Sequence, residues 1–213
     1  MNSFIRIPLN TSPEQLQRLL ALQTAFAQVC NALAPEVQKS RVWNRVTLHH
    51  LHYRVLREKF PALGSQMVCN AIYAVSRNAR LVFQTPTSPF NLSKLGAKPL
   101  PLLKFANSCP VYFDWHTLSF KGAKLSLFTL DGRMHFEVNL SDPQVLLFKV
   151  AKLKEISLKR RTDGLFELMF WLEASQESAP ALHEGKLDNL EAMHAGAGPA
   201  PLIPEYLTVE AAA

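Results

Sequence analysis

Three stretches in the first half of the chain place apolar residues at the three- and four-residue spacing of a helix. Ser12, Pro13 and Gln15 form a capping-box signature that predicts the start of the first helix. The second helix is predicted to begin near Thr47, and the third to cover residues 65–83. The predicted buried stripe of the second helix consists of Leu48, Leu51, Val55 and Leu56.

Short strand-like stretches replace the helical spacing after residue 87. They read VYFDW, TLSF, AKLSLFTL, RMHFEVNL, KLKEISLKR and LFELMFWL, and the N-terminal FIRIPL is of the same kind. Asp131–Gly132 and Asp163–Gly164 are the turn dipeptides of two predicted hairpins. Because several short antiparallel strands with tight turns are typical of a small barrel, we predict an α+β fold in which the helices are inserted into an antiparallel β-barrel.

These patterns divide the chain into four parts. Residues 1–11 are predicted to be the first barrel strand, 12–86 a helical bundle, 87–173 the barrel and 174–213 a flexible acidic tail. The tail is rich in Ala, Pro and Gly, so we expect most of it to be disordered. Within it, Pro201–Glu210 has enough apolar residues to dock on the body or on a partner, and that alternative stays open.

Charge is distributed unevenly between the body and the tail. Residues 1–173 contain 22 Lys and Arg against 11 Asp and Glu, a net charge of +11, whereas the remainder contains one cation and six acids. A basic body indicates phosphate-rich partners or an anionic membrane surface. No stretch reaches the roughly 20 apolar residues of a membrane span, and no signal peptide is recognisable, so we expect a soluble cytoplasmic protein without membrane contact.

The sequence contains none of the short motifs of common enzyme classes. His49, His50 and His52 lack the H-E-x-x-H spacing of a zinc site, and Gly64–Ser65 is not part of a nucleophile elbow. The few glycines form no phosphate-binding loop, and the three cysteines form no C-x-x-C pair. We therefore expect no enzymatic activity, no metal and no cofactor.

Two consecutive helices have a polar and basic side opposite their apolar stripe. At helical spacing this side contains His50, Arg54 and Arg57 on the second helix, and Gln66, Asn70, Tyr73, Arg77 and Arg80 on the third. A later stretch, KVAKLKEISLKRR, adds a second group of cations. An ordinary solvated helix surface and an edge strand protected by lysines are alternative interpretations of the two groups.

Four blocks of the sequence resemble, in this order, the N-terminal half of the TnpB (OrfB) proteins of insertion sequences and the related compact type V CRISPR effectors. The blocks are residues 3–33, 48–83, 112–121 and 156–173, so the resemblance extends over roughly residues 3–173. The most specific motifs are F-x-x-x-C-N at Phe26–Asn31 and Y-R-x-L-R-E-K-F at Tyr53–Phe60, followed by L-G-S-Q-M.

The resemblance implies a wedge-like barrel that grips a guide-RNA scaffold, and a helical recognition lobe that holds the duplex of guide and double-stranded DNA target. The family's RuvC-like nuclease, with its G-x-D-x-G strand, and its C-x-x-C zinc ribbon have no counterpart here, and metal-dependent cleavage needs such carboxylates. We therefore expect RNA-guided binding without cleavage, in the cytoplasm or on the nucleoid. Alternatives are a split effector or interaction subunit that recruits a separate nuclease or another protein, and a decayed transposon remnant.

The resemblance also assigns roles to individual residues. The arginines of the two helices, Arg54, Arg57, Arg77 and Arg80, are expected to contact nucleic-acid backbone. Gln66 matches a family Gln near the flanking DNA motif, and with Asn70 it is expected to pair with adenine. Independently of the resemblance, Trp43 and Tyr73 are candidates for base stacking, whereas Trp115, in an apolar strand-like stretch, is expected in the core. The cations expected to contact RNA from the barrel are Lys149, Lys152, Lys154, Lys159, Arg160 and Arg161.

Overall fold

A computed structural model describes residues 2–174 and 203–211, and within these ranges the chain is an α+β protein with antiparallel sheets. No helix in these ranges is both long and apolar enough to cross a membrane. The helices are α1 (Pro13–Ser40), α2 (Arg45–Lys59), α3 (Ser65–Phe83), α4 (Leu92–Leu95) and α5 (Asp142–Val150). The strands are β1 (Asn2–Pro8), β2 (Leu102–Phe105), β3 (Val111–Phe113), β4 (Leu118–Lys121), β5 (Lys124–Thr129), β6 (Gly132–Glu137), β7 (Ala151–Arg160), β8 (Phe166–Ala174) and β9 (Leu207–Glu210).

The strands form three antiparallel sheets, with the orders β1-β8-β7-β3, β4-β5-β6 and β2-β9. The predicted closed barrel is therefore wrong, because the hydrogen-bonded strands of the described residues do not form one continuous sheet. A local cause is visible after β3, where Asp114 Oδ1 accepts hydrogen bonds from the backbone N–H of His116 and of Thr117, both at 3.0 Å. This turn ends β3 after three residues and directs the chain into a separate sheet.

The N-terminal strand joins the main sheet, as its alternation predicts. β1 pairs antiparallel with β8, and Ile5 lies opposite Phe170 in that register. The chain leaves β1 to form α1–α3 and returns to the same sheet through β3, β7 and β8. The helices are thus an insertion between the first strand and the rest of its sheet, which confirms that part of the predicted architecture.

Both predicted Asp-Gly hairpins are present. One joins β5 to β6 at Gly132 and the other joins β7 to β8 at Gly164, where φ is +91° and +86°. L side chains rarely adopt such φ values, so glycine at these positions avoids backbone strain. The two dipeptides fix the pairing of four strands.

The predicted buried stripe of α2 is half wrong. Leu48 and Leu56 are buried, but Leu51 and Val55 are 58% and 60% exposed. The inner side of α2 instead includes half-buried His49 and Tyr53, whose rings stack with centroids 4.7 Å apart. His49 and Tyr53 are at i and i+4 and therefore lie on one side of α2, and on this side Tyr53 packs against the core.

The last described segment is ordered against the body, so the predicted disorder is wrong for residues 203–211. β9 pairs antiparallel with β2, and Leu207 is buried. The Tyr206 hydroxyl donates a hydrogen bond to Asn78 Oδ1 at 3.1 Å, which attaches the segment to α3. Docking of Pro201–Glu210, the alternative left open, is confirmed for its residues from Ile203 onward. The rest of the predicted tail, residues 175–202 and 212–213, lies outside the described residues.

Candidate nucleic-acid interface

The two predicted arginines of α2 differ in their availability. The Arg54 side chain is 93% exposed, and its Nε lies 3.4 Å from Glu58 Oε1 one helical turn away. Arg57 is half-buried and donates hydrogen bonds to the backbone oxygens of Phe60 and Leu63. Arg54 is therefore open to a partner, whereas Arg57 stabilises the C-terminal end of α2 and the loop that follows it.

Arg77 of α3 lies against the main sheet and not in solvent. Its Nε is 2.9 Å from Glu155 Oε2 on β7, and the two side chains are 25% and 11% exposed. The Tyr73 hydroxyl donates to the same carboxylate oxygen at 2.8 Å. These contacts neutralise Arg77 and occupy the Tyr73 hydroxyl, so neither residue is placed for backbone contact or base stacking, and both hold α3 on the sheet.

Electrostatics around this ion pair follow from its burial. Burial, and next the charge of Glu155, raise the pKa of Tyr73, so this hydroxyl remains a proton donor at neutral pH. Tyr112 most strongly, and Glu155 to a lesser extent, raise the pKa of Arg77 against the opposing effect of burial. The guanidinium therefore stays charged and needs its carboxylate partner.

The remaining predicted residues near the N-terminus of α2 and the end of α3 are mainly structural. Trp43 is buried, and its ring packs against Phe83 with centroids 5.5 Å apart. Its carbonyl accepts a hydrogen bond from Ser76 Oγ at 2.6 Å, and Arg80 donates to the same Ser76 oxygen at 3.3 Å. Trp43 therefore lies in the core and is not available for base stacking, while Arg80 is half-buried.

The amides predicted to read a DNA motif point to a protein turn. Asn70 is buried, with its Nδ2 3.4 Å from Thr117 Oγ1. Gln66 is half-buried and donates from Nε2 to Asp114 Oδ2 at 2.5 Å. In this arrangement both side chains anchor the Asp114–Thr117 turn, and pairing with adenine requires Gln66 to leave Asp114.

The cations predicted on the barrel lie near the two ends of β7. At the first end, Lys149 belongs to α5, which precedes the strand, and Lys152 is exposed at the start of β7 itself. Lys154 forms an ion pair with Glu173 of the neighbouring strand. At the other end Lys159 is half-buried, and burial, with a smaller effect of the charge of Arg77, lowers its pKa.

The far end of β7 has two exposed arginines. Arg160 donates from Nε to the Gly164 carbonyl at 3.2 Å, and Arg161 pairs with Asp163 at 2.7 Å. Lys152 and Arg160 are eight positions apart on a strand that rises about 3.3 Å per residue, so about 26 Å separates them. β7 is an inner strand of its sheet, and its cations form two separate basic areas.

Most cations of the body lack an acidic partner. The ion pairs found within the described ranges involve Arg18, Arg54, Arg77, Lys104, Lys154 and Arg161. The other 16 of the 22 body cations have no carboxylate within 4.0 Å in that part of the chain. Thirteen of these 16 cations are exposed, so most of the net charge of the body faces solvent without a carboxylate partner in the described residues.

Trp115 is a surface residue that the sequence interpretation placed in the core. It is 51% exposed in the turn between β3 and β4. The prediction failed because it extended β3 through Trp115, whereas the strand ends at Phe113. The signal was present: Asp114 and Thr117 have the spacing of an Asx turn, in which the Asp side chain accepts hydrogen bonds from following N–H groups.

The histidines of α2 do not form a metal site. His49 stacks on Tyr53 and meets the His50 ring edge-on, with centroids 5.9 Å apart. Across residues 2–174 and 203–211, no group of three His, Cys, Asp or Glu side chains is arranged to hold a metal ion.

Comparison with known proteins gives no family assignment. The sequence matches no protein-family model and no curated protein. The resemblance to TnpB thus rests on the four sequence blocks alone and remains a prediction.

Proposed function

We propose that this chain is a nuclease-lacking RNA-binding protein that grips a structured guide RNA in the manner of the TnpB proteins, and that it binds a DNA target through that guide without cleaving it. The observation that carries the proposal is the unpaired positive charge of the body. A surface with many cations free of carboxylate partners favours a polyanion, because binding releases the counterions condensed on the phosphates.

The inserted arrangement of the helices supports the same proposal. The resemblance implies a strand, then a helical lobe, then the remaining strands of a wedge-like domain. In this chain β1 precedes α1–α3, β8 follows them, and the two strands pair with each other. In the proposal the open sheets correspond to the wedge-like domain and α1–α3 to the recognition lobe. The proposed backbone contacts are Lys149, Lys152 and Arg160, which are exposed and have no carboxylate partner in the described residues, and Arg54, whose pair with Glu58 at 3.4 Å lies in solvent.

The first test is to identify the bound nucleic acid. The protein is purified from its native host at moderate salt, unprotected nucleic acid is digested, and what remains bound is sequenced. We expect one discrete structured RNA. Heterogeneous RNA that is released as salt rises contradicts guide binding and reduces the interaction to nonspecific electrostatics.

A salt titration then tests the proposed contacts. The slope of log K against log salt changes by about 0.7 to 0.9 for each phosphate contact that is lost. We expect Arg54→Ala, Lys152→Ala and Arg160→Ala each to reduce the slope by about that amount. Lys104→Ala is the matched control, since Lys104 is already paired with Glu210 at 2.7 Å. If the slope of log K against log salt is the same for all four variants, these residues do not make the proposed phosphate contacts.

A second candidate function is a protein-interaction subunit that recruits a separate nuclease. The exposed apolar positions Leu51 and Val55 on α2 favour it, since adjacent apolar side chains on a helix are suited to a protein partner. Affinity capture with wild type and with a Leu51→Ser/Val55→Ser variant tests it. A protein captured equally well by both forms contradicts the involvement of this helix.

A further inference from the structure

The β4–β6 sheet has one basic face turned away from the core. Along β6, Met134 and Phe136 are buried while Arg133 and His135 are exposed, and the register places Phe128 of β5 opposite Arg133. We call this surface the outer sheet face. Its exposed residues are Lys121, Lys124, Phe128, Arg133, His135 and Glu137. Among them Glu137 is the single acid against three Lys and Arg, so the face attracts anions.

Arg133 is held on this face by contacts with a ring and with two oxygens. The carbon at the centre of its guanidinium is 4.3 Å from the centroid of the Phe128 ring, a cation–π contact. Its Nη1 is 3.2 Å from Ser126 Oγ, and its Nη2 donates to the His116 carbonyl at 3.0 Å. No carboxylate partner of Arg133 occurs in the described part of the chain, so its charge is held in place without being neutralised.

The hydrogen bond from Arg133 to the His116 carbonyl links the guanidinium to the turn that contains Trp115. His116 follows Trp115 directly in this turn. The turn is stiffened by Asp114, which accepts hydrogen bonds from two backbone N–H groups and from Thr117 Oγ1 at 2.9 Å. The Trp115 side chain is thus half-exposed in a rigid turn, and the residue that follows it accepts a hydrogen bond from Arg133.

We propose that Trp115, Phe128 and Arg133 form a stacking platform for an unpaired segment of RNA, with Lys121 and Lys124 contacting its phosphates. The inference rests on the RNA binding proposed above and specifies where an unpaired segment binds. Bases stack on aromatic rings and on guanidinium planes, and only unpaired bases expose their faces. Paired RNA offers phosphates to the lysines but no base face to Trp115, so the platform favours a single strand.

Binding of a simple probe tests the platform in the full chain. Fluorescence anisotropy is measured with a labelled oligouridylate of about 20 nucleotides, long enough for one site, and with an RNA hairpin duplex of similar length. Loss of one stacking ring weakens binding by about 5- to 100-fold. We expect Trp115→Ala and Phe128→Ala to weaken oligouridylate binding within that range while the salt slope stays constant.

Two further variants separate stacking from charge and from general loss of an aromatic ring. Arg133→Lys keeps the charge but removes the guanidinium plane, and we expect several-fold weaker binding of oligouridylate. Phe4→Ala is the matched control, because Phe4 is 56% exposed on β1, which belongs to a different sheet. It is expected to bind the probe like the wild type.

Tryptophan fluorescence gives a second readout that does not depend on variants. Trp43 and Trp171 are buried, whereas Trp115 is exposed, so quenching by iodide reports mainly on Trp115. We expect oligouridylate to protect this fluorescence from the quencher. Far-UV circular dichroism confirms that each variant is folded before its affinity is compared.

The outcomes distinguish this inference from the proposed function. If wild type and the Trp115 and Phe128 variants bind oligouridylate equally, or if the duplex alone binds, the platform is overturned while RNA binding stands. If wild type binds neither probe and no RNA is recovered from the host, both are overturned. Selective weakening of oligouridylate binding in the three platform variants, with Phe4→Ala unchanged, supports the platform.

Discussion

Replacing Glu155 is the most direct test of whether Arg77 stabilises the fold through its ion pair. Its carboxylate is the acid bound to the Arg77 guanidinium, and it also accepts the Tyr73 hydroxyl bond. Glu155→Ala leaves Arg77 charged and largely buried, with no acidic partner. The fold then loses the contact that joins α3 to β7.

The magnitude follows from the burial of the pair. Removing one partner of a buried ion pair costs about 3–5 kcal/mol, and the quarter of Arg77 that remains exposed favours the lower end. We therefore expect the free energy of unfolding to fall by about 3 kcal/mol, out of the roughly 5–15 kcal/mol typical of folded proteins. With a urea m-value of about 2 kcal/mol/M, the midpoint shifts down by about 1.5 M.

Urea unfolding followed by circular dichroism measures this shift. Glu173→Ala is the control, because the Lys154–Glu173 pair is more exposed and such surface pairs contribute about 0–1 kcal/mol. An apolar replacement of the whole pair, Arg77→Met with Glu155→Leu, is expected to be more stable than Glu155→Ala alone. A Glu155→Ala midpoint within about 0.3 M of wild type, or a double variant no better than the single one, refutes the reasoning.

Three further predictions concern other parts of the fold. Leu207→Ala is expected to lower the free energy of unfolding by about 2 kcal/mol and to speed amide exchange in β2, because Leu207 is buried where β9 pairs with β2. Thr208→Ala, at an exposed position of the same strand, is the control. Unchanged exchange in the Leu207 variant contradicts docking of β9. Gly132→Ala is expected to cost about 1–2 kcal/mol in urea unfolding, because φ there is +91°, and an unaltered midpoint argues against that turn. Stability is expected to fall as pH rises above about 9, because burial raises the folded-state pKa of two cysteines and three tyrosines, so the unfolded chain ionises first. These are Cys30, Cys69, Tyr73, Tyr112 and Tyr206. The lowered pKa of Lys159 opposes this trend, but it is one group against five, and urea midpoints between pH 8 and 11 that stay level contradict the prediction.

Local signals in the sequence were enough for the elements that local chemistry controls. The Ser12 capping box is present at the start of α1, and both Asp-Gly dipeptides form hairpins. These features depend on residues within a few positions of one another, so the chain encodes them without reference to the rest of the molecule. The N-terminal strand was also anticipated, from the alternation of FIRIPL, but its partner β8 was not.

The role of each charged residue, in an internal ion pair or on the exposed surface, could not be predicted from local sequence. Arg54 and Arg77 occupy equivalent positions on predicted basic faces, yet one is 93% exposed and the other is bound to Glu155, 78 residues later in the chain. Helical periodicity identifies a polar face but not what packs against it. The outward turn of Leu51 and Val55 has the same origin, since the packing partner of α2 decides which side is buried.

The sequence by itself determined α1–α3, the longer strands, the two Asp-Gly hairpin turns and the excess of positive charge in the body, because these follow from local pattern and composition. It did not indicate α4, α5 or β2. Tertiary structure decided that the strands form three sheets and not a closed barrel, and that β9 docks on β2. It also decided that Trp115 faces solvent, in a turn to which Arg133 donates a hydrogen bond. The physical reason is that contacts between segments far apart in the sequence depend on which segments pack together in the folded chain. A local pattern of apolar and polar residues does not specify that packing.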